Sequence, residues 1–232
     1  MGAVLAREIH GKHGRPSRSL RSSHGATPAL SGPDEFGYFW RHWFGYDNPE
    51  SHELTRDDLA GIDADGLGQQ LRAVESVFEA PLLLKNPSLF SLNIAGVPSI
   101  IPKALLIVCE RESVYVAQST LQMREQRLNT REPWYGPKPR EYSWLRHLAP
   151  LDQVAGQVHF TRCRVEEGLA QLNPRRYLRV KYEDLCRNPQ SQLRVIADWI
   201  QSHGSLRRQA DCDPEPLQST NRRNLSVSDF AV

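Results

Sequence analysis

Two short apolar runs constrain the fold of this chain more than any other feature. Residues 82–84 and 104–108 are rich in branched side chains, are too short for helices, and are each followed closely by charged residues. Such runs are typical of strands buried in a parallel sheet. Because ligands of an open parallel sheet bind beyond the carboxyl ends of its strands, Lys85 and Arg111 lie where an anion would be held. The sequence therefore predicts an anion site at this edge of a sheet.

Strand-like segments alternate with amphipathic helical patterns along the chain. Strands are predicted at residues 81–85, 104–109 and 177–182. Helices are predicted from about Ser88, from just after Arg111, over residues 151–172 and from Pro189 onward. A chain of 232 residues with 39% hydrophobic content can bury one substantial core. The pattern favours a single α/β domain in which the first two strands form a β-α-β crossover.

Composition argues against several classes of protein. The formal charge of +2 is too small to indicate a nucleic-acid binder. The four cysteines are widely spaced and form no CxxC pair, which argues against a zinc site and a disulfide framework and favours a reducing compartment. No run approaches the roughly 18 apolar residues of a membrane span, and the start lacks the apolar core of a signal peptide. We expect a soluble, cytoplasmic protein.

The first 32 residues differ from the rest. They contain five Lys or Arg, three His and one acid, with no sustained apolar period. We therefore predict a disordered or weakly structured basic head over residues 1–32 and the α/β domain over residues 33–232. A transit peptide is the alternative interpretation of the head. His10 and His13 have a metal-like spacing, but a lone pair in a polar tail is expected to be solvated.

An aromatic-rich segment, PDEFGYFWRHWFGYDNPE, opens the predicted domain. One interpretation is a helix that begins near Asp34 and packs its aromatic face on the core through Phe36, Phe39, Trp40 and Trp43. The other is a wall of an acceptor pocket in which Glu35 or His42 takes a proton. The sequence leaves both interpretations open.

Two longer blocks carry a family resemblance. PKALLIVCERESVYVAQS and RRYLRVKYEDLCRNPQSQLRVIADWI resemble two motifs of the sulfotransferases that use 3′-phosphoadenosine 5′-phosphosulfate (PAPS). The order, spacing and strand placement agree over about residues 80–203. The resemblance implies a three-layer α/β/α fold of the P-loop NTPase-like sulfotransferase type, built on a parallel sheet. It also implies PAPS as co-substrate and a hydroxyl or amine acceptor on a small molecule or a glycan.

The resemblance implies a role for several basic residues. In the family an Arg and a Ser eight residues apart bind the 3′-phosphate of the donor, and here these are Arg111 and Ser119. From the residues alone, Arg111 could instead form a salt bridge at the strand end, and Ser119 could be an ordinary helix residue. A basic residue in the C-terminal segment also contacts that phosphate in the family. Arg222 or Arg223 could serve, although a solvated tail is the alternative.

The resemblance also bears on catalysis. Lys85 would steady the transferring sulfonate or the bridging oxygen, because developing negative charge needs a preorganised cation. In many members a His two residues after this Lys is the general base, but that position is Pro87 here. The candidates for the base are therefore Glu35, Asp34 and His42.

One family motif is not recognisable. The family's 5′-phosphosulfate loop reads P-[KR]-S-G-T-[ST] and follows a strand, whereas the nearest text, GRPSRS at residues 14–19, has no apolar strand before it. We therefore expect a sheet that is incomplete on its N-terminal side. The function is either sulfonate transfer or, in a catalytically impaired remnant, binding alone. A P-loop nucleotide kinase would need G-x-x-x-x-G-K-[ST], which is absent from the sequence.

Overall fold

The computed structural model describes residues 35–45, 50–204 and 217–225 of the chain. The head predicted at residues 1–32, with its GRPSRS segment, lies outside these ranges, as do Asp34 and Cys212. The cysteines within the ranges, Cys109, Cys163 and Cys186, are free.

The described chain is mostly helical. Its α-helices are α1 (Gly37–Phe44), α2 (Arg56–Ala60), α3 (Ala64–Phe78), α4 (Pro87–Phe90), α5 (Val97–Ile100), α6 (Ser113–Leu128), α7 (Tyr142–Leu145), α8 (Pro150–Ala170), α9 (Tyr182–Arg187) and α10 (Pro189–Gln201). Short 3₁₀ turns lie at Ile94–Gly96 and Pro174–Arg176, and the strands are β1 (Leu106–Glu110) and β2 (Tyr177–Lys181). None of the described helices is long and apolar enough to cross a membrane.

The two strands form a small parallel sheet. Leu106 lies opposite Tyr177 and Glu110 lies opposite Lys181, so both strands end at the same edge. This confirms the strands predicted at residues 104–109 and 177–182 and the α/β class with a parallel sheet. The residues that follow the strands, Arg111 and Tyr182, are consequently neighbours.

The prediction of a strand at residues 81–85 is wrong. These residues have no regular secondary structure, and the β-α-β crossover expected between them and β1 is not observed in the described chain. Leu83 is 88% exposed, while Leu84 packs against the cluster of buried side chains around α1. Pro81 and Pro87 flank the segment and cannot donate to a ladder. The segment is therefore anchored by side chains instead of by strand pairing.

The aromatic-rich segment packs on a core, as the first interpretation predicts. Helix α1 buries Trp40 and Phe44 against a cluster completed by Leu67, Leu89 and Ile100. Phe39 and Trp43 pack on the same cluster. The expectation for Phe36 is wrong, because this residue lies before the helix in a left-handed conformation with φ of 52° and is 57% exposed. Helix α1 thus presents one apolar face to the core.

The long helices α6 and α8 lie between the two strands in the chain and pack against each other. Leu121 of α6 and Val154 and Leu169 of α8 are almost completely buried. Val114 of α6 is 42% exposed because it borders an open groove between the two helices. The proline-rich residues 129–140 have no helix or strand.

A buried arginine ties three separate segments together. The guanidinium of Arg164 in α8 lies 2.9 Å from Glu53, 2.5 Å from Glu141 and 2.9 Å from Glu167. The Arg164 side chain is only 7% exposed, and the Glu53 and Glu141 side chains are 19% and 16% exposed. These carboxylates outweigh the desolvation that opposes the charge, so the pKa of Arg164 is raised. The cluster joins the segments before α2 and before α7 to the middle of α8.

Candidate functional site

Arg111 is the centre of the predicted anion site, and the structure holds it over an aromatic ring. It follows β1 directly, and its guanidinium carbon lies 4.7 Å from the ring centroid of Tyr182, which follows β2. The ring of Tyr115, in the first turn of α6, is 5.9 Å away. Such contacts stabilise a cation and restrict its orientation. The parallel register therefore fixes the guanidinium at the carboxyl edge of the sheet.

The hydrogen-bond partners of Arg111 come from the C-terminal segment. Its Nε donates to Asn221 Oδ1 at 2.7 Å, and its Nη2 donates to Thr220 Oγ1 at 3.2 Å. Both acceptors are neutral oxygens. Within the described ranges, Arg111 does not form the strand-end salt bridge that was the alternative to phosphate binding. Its positive charge is therefore not paired directly with a described carboxylate.

Glu183 of α9 joins the end of β1 to the C-terminal segment. Its Oε1 accepts hydrogen bonds from the backbone N of Glu112 at 3.2 Å and from Asn221 Nδ2 at 2.8 Å. Desolvation raises the pKa of Glu183, but these hydrogen bonds, its own backbone and the charge of Arg111 outweigh that effect and lower the pKa overall. The ionised carboxylate thus holds Asn221 with its amide oxygen toward Arg111.

Ser119 and Gln118 lie one turn further along α6. Ser119 is half-buried and follows Tyr115 by four residues, so it shares the helix face whose first turn touches Arg111. Gln118 is 3% exposed. Its Nε2 donates to the backbone oxygen of Arg222 at 2.8 Å, and its Oε1 accepts from the backbone N of Asn224 at 2.8 Å. The N-terminal half of α6 therefore binds the C-terminal segment through hydrogen bonds of Gln118 to its main chain.

Arg222 and Arg223 lie in that segment with exposed side chains. They follow Asn221, whose side chain contacts Arg111. The structure thus brings Arg111, the Ser119 face of α6 and the segment containing both arginines to one edge of the sheet.

Lys85 and Glu35, two of the predicted catalytic residues, form an ion pair. Lys85 Nζ lies 3.1 Å from Glu35 Oε1, and the two side chains are 60% and 42% exposed. Asn86 Nδ2 also donates to the backbone oxygen of Glu35, at a long 3.4 Å. The structure therefore brings Lys85 and Glu35 together.

Lys85 also acts electrostatically on β1. Cys109 in β1 has solvent-accessible surface, but partial desolvation raises the pKa of its thiol. The positive charge of the Lys85 ammonium partly opposes this increase. Lys85 is thus an electrostatic neighbour of the strand that leads to Arg111, even though its own segment is not a strand.

His42, the other candidate base, is exposed in the last turn of α1, and its ring packs edge-on against Trp43 at 5.4 Å. The contacts described for His42 do not join it to Lys85 or Glu35. The structure thus does not bring His42 into the ion pair.

A groove of about 710 Å³ runs between α6 and α8 beside this site. Its walls are mostly apolar and include Val114, Ala117, Leu121, Val154, Val158 and Leu225. Arg162 reaches its rim, where Nη1 donates to Ser113 Oγ at 2.6 Å. The groove is suited to apolar contacts. Within the described part of the chain, no group of three or more His, Cys, Asp or Glu residues is arranged to hold a metal ion.

Sequence reasoning missed several residues that shape the site. Gln118, Thr220, Asn221 and Tyr182 were not singled out. Only Tyr182 gave a usable signal, because an aromatic residue directly after a parallel strand lies at the edge where ligands bind. A buried glutamine in a polar helix, and a polar segment far along the chain, carry no local pattern that identifies their contacts.

The fold and the site define an α/β protein with a basic site at the carboxyl edge of a parallel sheet. The model of the sulfotransferase family matches residues 5–203. The match covers most of the chain, and the protein therefore belongs to the sulfotransferase family, as the two sequence blocks indicated. Comparison with curated proteins found no match, and comparison with solved structures found none either.

Proposed function

We propose that this protein transfers a sulfonate group from PAPS to a hydroxyl or amine acceptor. Arg111, Ser119 and the segment with Arg222 and Arg223 would bind the 3′-phosphate of the donor. The observation that carries the proposal is the state of Arg111: a guanidinium at the carboxyl edge of the sheet whose described acceptors are both neutral.

A phosphate fits this arrangement for a chemical reason. A guanidinium forms two parallel hydrogen bonds with a phosphate, and such charged bonds are roughly twice as strong as neutral ones. A 3′-phosphate would therefore displace the oxygens of Asn221 and Thr220 from Arg111. The Thr220 hydroxyl can then donate to the phosphate, while Glu183 keeps the amide nitrogen of Asn221 and the ring of Tyr182 continues to support the guanidinium.

The chemical step is a single displacement at sulfur. The acceptor oxygen or nitrogen forms a bond to sulfur while the sulfur–oxygen bond to the donor breaks, and adenosine 3′,5′-bisphosphate leaves with the electron pair. Lys85 would stabilise the charge on the bridging oxygen. The acceptor proton would go to Glu35, and the support for this role is the ion pair of its carboxylate with Lys85, the proposed sulfonate contact.

Exposed aromatic side chains next to Glu35 support an acceptor site there. Phe36 and Tyr38 are 57% and 89% exposed, although Phe39 and Trp40 of the same segment pack on the core. The packing interpretation and the pocket-wall interpretation of this segment are therefore compatible, since they involve different side chains. An acceptor with an apolar or sugar face would suit this wall.

Ligand-dependent stability tests the donor site. Adenosine 3′,5′-bisphosphate at 100 times its dissociation constant is expected to raise the free energy of unfolding by about 2.7 kcal/mol. Adenosine 5′-monophosphate at the same concentration is expected to stabilise much less, because it lacks the 3′-phosphate. Thermal unfolding with each nucleotide measures the difference. Equal stabilisation by both would contradict the assignment, and stabilisation without transfer of labelled sulfonate from PAPS would favour a binding protein.

Replacement of the proposed base tests the chemistry. Glu35→Gln is expected to lower kcat by at least about 100-fold, since general base catalysis contributes about 10²–10⁴-fold. His42→Ala is expected to leave kcat within about twofold, because His42 does not contact the ion pair. Single-turnover transfer of labelled sulfonate gives both rates, and bisphosphate affinity should be unchanged. If Glu35→Gln turned over at the normal rate, the assignment of the base would be abandoned.

A further inference from the structure

The C-terminal segment, residues 217–225, is held on α6 by the amide of Gln118. The amide nitrogen donates to the backbone oxygen of Arg222, and the amide oxygen accepts from the backbone N of Asn224. Both distances are 2.8 Å, and Gln118 is 3% exposed. A glutamine amide can donate and accept at the same time, so one side chain satisfies both main-chain groups. Gln118 therefore pairs with the segment much as a neighbouring strand would.

Arg222 lies between two points where the segment is anchored. On one side, Thr220 and Asn221 contact Arg111. On the other side, Asn224 contacts Gln118. A main chain that is fixed on both sides restricts the positions that the Arg222 side chain can reach, and less ordering is then required when a ligand binds.

The geometry points to Gln118 as a positioning residue for the donor: it fixes the segment that carries Arg222 and Arg223 beside Arg111, and so raises the affinity for a 3′-phosphate without touching it. This inference rests on the proposed function. It concerns a side chain that binds two main-chain groups of the segment, and it assigns that side chain no part in the chemical step.

Gln118→Met removes both hydrogen bonds and keeps a side chain of similar length. The dissociation constant of adenosine 3′,5′-bisphosphate, measured by calorimetry, is expected to rise about tenfold, which corresponds to about 1.4 kcal/mol. Binding of adenosine 5′-monophosphate is expected to change less than twofold. Gln126→Met is the matched control, because Gln126 is exposed on the same helix. Tenfold weakening of both nucleotides would overturn the inference.

A double-mutant cycle separates positioning from a merely structural role. In a chain that carries Arg222→Gln and Arg223→Gln, Gln118→Met is expected to change bisphosphate affinity less than twofold, because the segment no longer presents its charges. A tenfold change in both backgrounds would show that Gln118 acts through the fold in general and would overturn its positioning role.

Limited proteolysis without nucleotide distinguishes failure of this inference from failure of the proposed function. Trypsin is expected to cleave after Arg222 and Arg223 faster in Gln118→Met than in the unsubstituted chain or in Gln126→Met. If the unsubstituted chain did not bind the bisphosphate, the donor site itself would be refuted. In that case, faster cleavage of Gln118→Met would show only that Gln118 holds the segment in the fold. The positioning role of Gln118 would then be overturned together with the donor site.

Discussion

Arg164→Met is expected to lower the free energy of unfolding by about 3–5 kcal/mol, the largest stability effect of any substitution considered for this chain. The physical reason is the negative charge that Glu53 and Glu141 keep after the guanidinium is removed. Glu53 and Glu141 are largely buried and both bond the Arg164 guanidinium, and Glu141 Oε2 already lacks a partner among the described residues. Without the guanidinium, two carboxylates would face each other away from water. Urea unfolding of the variant measures the loss.

The matched control is Arg187→Met. Arg187 also bonds a carboxylate, that of Asp184 at 2.8 Å, but its side chain is 75% exposed. An exposed pair contributes at most about 1 kcal/mol, so the control should stay close to the unsubstituted protein.

A second substitution tests the cause of the loss at Arg164. Glu141→Gln alone should destabilise the protein, because it weakens a bond to Arg164. In the Arg164→Met background the same change should restore stability, since it removes a buried carboxylate whose remaining cation, the exposed Arg140 at 3.5 Å, compensates it only in part. If Glu141→Gln destabilised the protein in both backgrounds, the charge argument would be wrong.

The elements that sequence reasoning found are those whose signals are local. Strand β1 was found from a short branched run that ends in charge, and α8 from apolar residues at helical spacing. The segment at residues 81–85 has the same kind of run, yet it is not a strand. The difference is that β1 has β2 beside it, whereas residues 81–85 have no described strand partner. Pairing between distant segments is not written in either segment alone.

The residues of the candidate site also differ in whether a local sequence signal identifies them. Arg111 and Lys85 were predicted from their places at the ends of apolar runs. The structure holds Arg111 against Tyr182 at the carboxyl edge of the sheet and pairs Lys85 with Glu35. The contacts of Arg111 with Thr220 and Asn221 join residues more than 100 positions apart. No periodicity or motif connects such residues. The candidates for the base were Glu35, Asp34 and His42, and no local pattern indicates the ion pair that Glu35 forms with Lys85.

Arg111→Met is expected to weaken binding of adenosine 3′,5′-bisphosphate by about 100-fold, or about 2.7 kcal/mol, the largest effect on the proposed donor site. Methionine keeps the length of the side chain but removes the charge and both donors. The affinity of Arg111→Lys for the bisphosphate is expected to lie between those of the unsubstituted protein and Arg111→Met. An ammonium keeps the charge but cannot form the two-pronged bond to phosphate. Calorimetric titration of each variant measures the dissociation constants.

Binding of adenosine 5′-monophosphate, which lacks the 3′-phosphate, shows whether the effect of Arg111→Met is specific to that phosphate. Arg111 also contacts Thr220 and Asn221, so its loss releases part of the C-terminal segment and could weaken binding indirectly. Release of the segment alone should weaken bisphosphate binding only about tenfold, the effect expected of Gln118→Met, whereas a general disturbance of the fold would lower the affinities for both nucleotides by similar factors. A direct contact with the 3′-phosphate instead removes the preference for the bisphosphate, and leaves the monophosphate affinity within about threefold of its original value. If the preference survived in Arg111→Met, the 3′-phosphate would have to be bound by other residues, and the proposed site at the end of β1 would be wrong.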